Sequence, residues 1–316
     1  MYDVSIIIVA WNVVHLVDEC LGSVRASEDT LKKQILFVDN GSKDGTEELV
    51  RRKYPEVEFI RSETNLGFIR ANNLAYPRAS GRYVLMLNSD AFVGPKTLAR
   101  TVGFLDEHKE YGVLGCRLIS RDGWLQASAL NFPTPWRIFV GRMGLDRRFP
   151  SLRGLVDLDQ NMEVVRDCDW VPGCYLLARK SALEQLDFFL RTDYFMYNDD
   201  NDLCLRLARK GWKTVYFPEP VIHLGGQTIK QLGKLDKEGN MFSKFSVESS
   251  FIYYRKNYGI GTTLSSYVLG TLFRGVQMAK RILLRRKRVV LADEWKALAL
   301  ETRILFKTRF GGRAIH

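Results

Sequence analysis

The chain has 316 residues, 46% hydrophobic and 26% charged, enough for one large domain with an appendage or for two domains, with a sizeable core in either case. Residues 255–316 hold 14 Lys and Arg against 3 Asp and Glu, so this segment carries the whole formal charge of +11 and residues 1–254 sum to zero. A neutral body with a basic tail excludes a body built around an anionic polymer and points to an anionic surface met by the tail.

Val4 to Ala10 is a continuous, β-branched run, as a strand buried on both faces requires. Trp11-Asn12 leaves it, and Leu16, Cys20, Leu21 and Val24 mark one face of a helix. Gln34 to Val38 reads as a second strand that ends in the turn-rich Asp39-Asn40-Gly41-Ser42-Lys43-Asp44-Gly45, after which Thr46-Glu47-Glu48-Leu49 opens a helix. Val57 to Ile60 is a third short strand, and Asn65-Leu66-Gly67-Phe68 turns into a helix through Arg70, Asn72, Asn73 and Leu74. Tyr83 to Leu87 is a fourth strand, and Pro95 opens the next helical pattern. Strands and helices alternating at this spacing predict βαβ units and a parallel sheet.

Residues 111–116 give another strand. From about 120 to 165 the pattern weakens among Pro133, Pro135 and Pro150, which predicts a long, partly irregular segment of the kind that forms lids and binding loops. Trp170 to Leu177 reads as a turn into a strand. Asn198-Asp199-Asp200-Asn201-Asp202 then heads an amphipathic helix closed by Gly211, and strands over 214–217 and 220–223 finish the body. No GxGxxG and no P-loop occurs, so neither NAD nor ATP is indicated in the usual way. The five cysteines are scattered without a CxxC pair, and the chain starts on a strand pattern and not a signal peptide. Both features predict a reducing, cytosolic setting and no zinc cluster. No apolar run reaches about 18 uncharged residues, so no transmembrane helix is expected.

Two acidic stretches carry the chemistry. Asn88-Ser89-Asp90 lies just past the carboxyl end of a central strand, the edge where open α/β sheets bind ligands. A carboxylate there suits Mg²⁺, which binds through one or two carboxylates plus substrate phosphates; the same residues also serve as a helix cap or a turn. Asp199, Asp200 and Asp202 complement a helix dipole, yet three acids in four positions repel one another, a wasteful arrangement for capping alone.

Taken in order, Val4–Asn12, Val38–Thr46, Asn65–Phe68 with Asn72-Asn73, Leu87–Asp90 and Asp199–Arg206 resemble glycosyltransferase family 2. These are the inverting, nucleotide-sugar-dependent enzymes of GT-A fold, and the likeness is strongest to the rhamnosyltransferase-like branch that builds bacterial cell-surface polysaccharides. It covers about Val4 to Tyr258. It implies an α/β, Rossmann-like, mostly parallel sheet with flanking helices over 1–254, with 1–117 binding nucleotide and 118–254 binding acceptor, followed by basic amphipathic helices over 255–316. By position, Ala10 and Asn12 would line the base and ribose pocket, Asp39 would accept hydrogen bonds from the base or ribose, and Asn65, Gly67 and Arg70 would approach the nucleotide from the other side. Asn88-Ser89-Asp90 would be the family's DxD element, with Asn where the first acid is usual, so that Asp90 carries the metal and Asn88 and Ser89 touch nucleotide. Asp200 would be the general base of the "ED" motif, with Asp199 in place of its Glu. His223 would be a second metal ligand, and Trp170, Gly173, Asp199 and Asp202 would support the acceptor side. The implied cofactor is Mg²⁺ or Mn²⁺, imidazole favouring the latter.

In the tail, Leu264, Val268, Leu272, Val276, Ala279 and Leu283 recur every three or four residues, with Arg274, Lys280, Arg281 and Arg285 largely off that stripe and Arg285-Arg286-Lys287-Arg288 following. Residues 264–288 therefore read as a basic amphipathic helix for an anionic membrane surface, or as one that docks on the body or on a second subunit. The combined expectation is a peripheral enzyme on the cytoplasmic face of the plasma membrane. It takes a dTDP- or UDP-linked sugar, rhamnose being the candidate, and a lipid-linked glycan acceptor. A non-catalytic module of the same fold is the alternative. Nucleic acid is not expected, since no aromatic residues interleave the basic run.

Overall fold

A computed structural model describes residues 1–156, 162–225, 241–283 and 288–315. The described residues of Met1–Leu130, Gln160–Thr192 and Asp199–Leu235 form one compact unit, and those of Asn131–Asp159, Asp193–Asn198 and Asp236–His316 a second.

The first unit is built on a nine-stranded sheet. Its strands are β1 (Val4–Ala10), β2 (Lys33–Asp39), β3 (Glu58–Arg61), β4 (Tyr83–Asn88), β5 (Ala91–Val93), β6 (Tyr111–Ile119), β7 (Arg166–Cys168), β8 (Tyr175–Arg179) and β9 (Lys213–His223). Their spatial order is β3-β2-β1-β4-β8-β6-β9-β5, with β7 also paired to β9. The apolar runs behave as their composition demands: Ile6, Ile7 and Ile8 of β1, Leu36 and Phe37 of β2, and Val84 to Leu87 of β4 are all buried. Each such aliphatic side chain contributes about 1.5–3 kcal/mol. The helix Val14–Arg25 buries Leu16, Val17, Cys20, Leu21 and Val24, the face its periodicity marks.

The α/β architecture with flanking helices is present. Its sheet is parallel across β3-β2-β1-β4 and mixed beyond. β8 enters antiparallel to both β4 and β6, because the chain reaches it from Trp170–Gly173 at the edge where β4 ends and must run back down the sheet. This places the ends of β1, β2 and β4, the start of β8 and the end of β9 along one edge. Ser5, the buried hydroxyl of β1, donates to Gln34 and accepts from the amides of Ser80 and Gly81, locking β1 to the turn before β4. A Cβ on Gly81 would lie 2.5 Å from the Ser5 nitrogen, so only glycine allows that approach.

Two local readings change. The strands expected over 214–217 and 220–223 are one strand, β9, which tolerates Pro218 and Pro220 because a register shift against β6 falls between Cys116 and Arg117, opposite them. The irregular segment contains the helix Pro135–Met143: Pro135 sits in its first turn, where no amide is needed, Thr134 accepts from the Arg137 amide, and Gly144 at φ +68° ends it.

The second unit holds that helix and the helices Met241–Tyr258, Ile260–Leu283 and Arg288–Lys307. Phe251, Ile304 and Leu305 form a buried cluster with Val247, Tyr267 and Leu300 against it. Arg274 pairs with Glu294 and Glu301, tying Ile260–Leu283 to Arg288–Lys307. Ile260, Leu264, Val268, Leu272 and Val276, each four residues from the last, are exposed. Arg285, Arg286 and Lys287 of the expected basic run lie outside the described residues, as does the side chain of Arg288. No described helix is long and apolar enough to cross a membrane.

Candidate active site

At the end of β2, the loop Asp39–Thr46 is held by its own short polar side chains. Asp39 is fully buried; one oxygen accepts from the Ser42 amide at 3.0 Å and the other pairs with Arg61. Asn12, in the left-handed region at φ 52°, accepts from the Lys43 amide at 2.8 Å while its own amide donates to the Ser42 hydroxyl. Asp44 accepts from the Val14 amide at 2.8 Å and so caps the helix Val14–Arg25 from outside it. Gly41 at φ +82° is forced, since a Cβ there would lie 2.9 Å from the Thr64 carbonyl carbon. Asn40 completes the arrangement. Its amide donates to Asn65 at 2.9 Å and its oxygen accepts from the Leu66 amide at 2.8 Å, while Asn65 accepts from the Gly67 amide. Ala10 is buried beside them, its carbonyl accepting from the Asn40 amide, and Arg70 extends exposed from the helix Gly67–Ala75. Ala10, Asn12, Asp39, Asn65 and Gly67 thus meet at one edge.

β4 ends at the same edge. The Asn88 amide donates to the Cys174 carbonyl at 3.1 Å, Ser89 and Asp90 are buried, and the Asp90 carbonyl accepts from Leu224. Asp90 Oδ1 and His223 Nε2 lie 3.5 Å apart. Gln126 sets the imidazole. Its Nε2 donates to the His223 carbonyl at 2.7 Å, which leaves its Oε1 facing His223 Nδ1 at 2.8 Å. Nδ1 therefore carries the proton in the neutral ring, and the Nε2 lone pair faces the carboxylate. Two acceptors facing each other need a cation between them. Burial opposes a charged imidazole here, but hydrogen bonds to Asp90 and Cys174 outweigh it and push the His223 pKa up to about 10. The same pair suits a divalent cation: one carboxylate and one imidazole leave coordination positions for phosphate oxygens and water. Among the described residues no third His, Cys, Asp or Glu joins them to make a closed metal cage.

The acidic cluster separates into three roles at the start of the helix Asp199–Ala208. Asp200 reaches the sheet edge, where it accepts from the Gly173 amide at 3.1 Å and from the Asn201 amide at 2.9 Å. Burial raises its pKa against the pull of those two amides. Asp199 is buried beside it, and burial followed by the Asp200 charge holds its carboxyl well above the usual range. Asp202 is fully buried and paired with Arg206 at 2.8 Å and Arg191 at 3.4 Å. Trp170 is half-buried, its backbone exchanging hydrogen bonds with Leu130.

A chain of contacts thus runs from Asp200 through Gly173 and Cys174 to Asn88, His223 and Asp90. Sequence reasoning missed Asn40, Arg61, Gln126 and Cys174. Only Asn40 left a signal, an Asx residue beside Asp39 in a turn; the other three act on partners distant in sequence.

Residues 5–157 match the glycosyl transferase family 2 model and residues 83–232 the model of glycosyl transferase family group 2. Over 205 residues the chain is 28% identical to an N-acetylglucosaminyl-diphospho-decaprenol L-rhamnosyltransferase of Mycobacterium tuberculosis, spanning 60% of this chain and 66% of that protein. A mannosyltransferase from Pyrobaculum calidifontis, solved with GDP-mannose and Mn²⁺, superposes with a TM-score of 0.56 at 15% identity over 96% of this chain and 87% of its own. Residues 1–349 of S. aureus TarS, solved with UDP, give a TM-score of 0.50 at 15% identity over 99% and 93% of the two chains.

The different partners of the acids predict different costs. Asp202→Ala leaves Arg206 and Arg191 without their shared carboxylate and is expected to destabilise the protein by about 3–5 kcal/mol in denaturant melts. Asp200→Asn is expected to change stability by about 1 kcal/mol or less. Equal losses in the two variants would contradict these assignments.

Proposed function

The chain belongs to glycosyltransferase family 2, and from that premise we propose that it moves one sugar, with inversion, from a nucleoside-diphosphate sugar to a hydroxyl of a lipid-linked glycan. The observation that carries this reading is the hydrogen-bonded continuity between Asp200 and the Asp90–His223 pair through Gly173 and Cys174. A proton acceptor and a place for diphosphate are thereby adjacent on one edge.

The nucleotide sits against the ends of β1 and β2, with Ala10, Asn12, Asp39, Asn65, Gly67 and Arg70 around it and Asn88-Ser89 beneath. The acceptor occupies the 118–254 half, with Trp170 and Gly173 on its side. Asp90 and His223 would hold a divalent cation, Mn²⁺ or Mg²⁺, which would supply positive charge to offset that developing on the departing diphosphate. The acceptor hydroxyl forms its bond to the anomeric carbon as the bond from that carbon to the diphosphate oxygen breaks, and the hydroxyl proton passes to the Asp200 carboxylate. The two amides that hold Asp200 fix its direction without using all its lone pairs. Asp199 lies buried beside it, its carboxyl held above the usual range by burial and then by the Asp200 charge, and Asp202 anchors the helix that carries both. The Mycobacterium relative's name, with L-rhamnose as the sugar and N-acetylglucosaminyl-diphospho-decaprenol as the acceptor, supports rhamnose as the sugar moved, here from a dTDP- or UDP-linked donor, and a polyprenyl-diphosphate glycan as the acceptor.

The second unit brings the enzyme to that lipid. The exposed aliphatic residues Ile260, Leu264, Val268, Leu272 and Val276 rise along one helix within the segment that carries all the net charge. An apolar stripe in a basic segment suits the interface of an anionic leaflet, where each Lys or Arg adds about 1 kcal/mol. The protein is accordingly peripheral on the cytoplasmic face of the plasma membrane.

Asp200→Asn is expected to slow transfer from dTDP-rhamnose to an N-acetylglucosaminyl diphosphate carrying a short polyprenyl chain by about 10²- to 10⁴-fold, with UDP or dTDP binding kept. Because burial raises the Asp200 pKa and only its ionised form takes a proton, the wild-type rate falls with decreasing pH through a midpoint above the ordinary aspartate range. Equal rates in the two proteins would remove Asp200 as the base; no turnover in either, with nucleotide bound, would favour a non-catalytic module. In co-sedimentation, the wild type is expected to bind phosphatidylglycerol vesicles. Val268→Glu with Leu272→Glu should weaken that binding at least about tenfold, as high salt should. Unchanged sedimentation would mean that the stripe serves a protein partner.

A further inference from the structure

One large side chain beside the site has no role in the chemistry above. β6 runs into a tight hairpin: Leu125 pairs back on Ile119, the Ser120 amide donates to the Trp124 carbonyl at 2.9 Å, and the Trp124 amide donates to the Ser120 hydroxyl at 3.0 Å. Both arms are pinned. Arg121 pairs with Glu19 and lies 5.3 Å over the Phe92 ring of β5, and Gln126 holds His223 through two hydrogen bonds. Yet Trp124, at the centre of this fixed segment, is 76% exposed, and its ring has no aromatic partner among the described residues.

Folding gains little from such a residue, and a rigid support means that little entropy is lost when something packs on it. Its position is set by the backbone. Trp124 lies two residues before Gln126, whose amide reaches His223, so the hairpin carries it next to the Asp90–His223 pair. Its place in the sheet separates it from the nucleotide: the loops after β2 and β3 lie on one side of β4, and β6 on the other. On the proposed transferase reading, a ligand beside the Asp90–His223 pair on the β6 side is sugar and not base. A pyranose ring presents a face of C–H groups, the complement of the electron-rich face of an indole.

We propose that Trp124 is the wall of a carbohydrate subsite at the rim of the Asp90–His223 site and stacks on a pyranose ring of the acceptor glycan. The subsite rests on the transferase reading for the identity of its ligand. It does not depend on turnover, because stacking is read as binding.

The test is calorimetric titration of N-acetylglucosaminyl diphosphate carrying a short polyprenyl chain, with UDP and Mn²⁺ present, into wild type, Trp124→Ala and Trp124→Phe. The expected result is a Kd raised at least about tenfold in Trp124→Ala and largely restored in Trp124→Phe, with UDP binding and the thermal midpoint as in wild type. An equal Kd in Trp124→Ala overturns the subsite, as does a loss confined to vesicle binding, which would make Trp124 a membrane contact. Absence of probe binding to the wild type overturns it together with the proposed acceptor. Trp-dependent binding without sugar transfer would leave the subsite standing and remove the transferase reading instead.

Discussion

The hydrogen bond from the Asn88 amide to the Cys174 carbonyl fixes where everything else can be. It joins the last residue of a parallel strand to the residue before an antiparallel one, so β8 begins where β4 ends. Without an antiparallel insertion at this point, Gly173 would not lie at the carboxyl edge of the parallel strands, and the helix that donates Asp200 would have no amide there to dock on. The cost of a mixed sheet is small, since antiparallel pairing is at least as stable per residue as parallel pairing. What it brings is convergence: segments around residues 10, 39, 88, 173, 200 and 223 reach one edge from distant parts of the chain.

Electrostatics then divide the labour among side chains of one kind. Asp39 is held by an amide and Arg61, Asp44 caps a helix end, Asp202 pairs with two arginines, and Asp199 is buried with its carboxyl raised above the usual range. Asp90 and Asp200 differ from these. Asp90 faces an imidazole whose other nitrogen is already committed, and Asp200 is held by two backbone amides. Groups held by rigid partners with lone pairs to spare are what the proposed transfer requires.

Much of this edge was legible from composition and order alone. The buried strands announce themselves as apolar runs, and a carboxylate just beyond such a run has few other places to be. The acidic cluster was legible because three acids crowd one helical turn, whereas Asp200 is singled out within it by the family resemblance. The pairings that give these residues their geometry were not. Asn40 meets Asn65 across 25 residues and Gln126 meets His223 across 97, and no local pattern encodes either. Proline misled twice, at Pro135, where it starts a helix, and at Pro218 and Pro220, where a register shift absorbs it. In the tail, periodicity located an apolar stripe, but only the ion pairs of Arg274 with Glu294 and Glu301 distinguish its inward side from the exposed one.

The proposed function turns most on Asp90 and His223, which would hold a divalent cation for a nucleoside diphosphate. Calorimetric titration of UDP and dTDP into the wild-type protein and Asp90→Asn, each with Mn²⁺ and with EDTA, tests it most directly. The account predicts binding of one nucleotide to the wild type with Mn²⁺, and a loss of at least about tenfold both in EDTA and in Asp90→Asn. Equal affinity with and without metal, or in the variant, would contradict it.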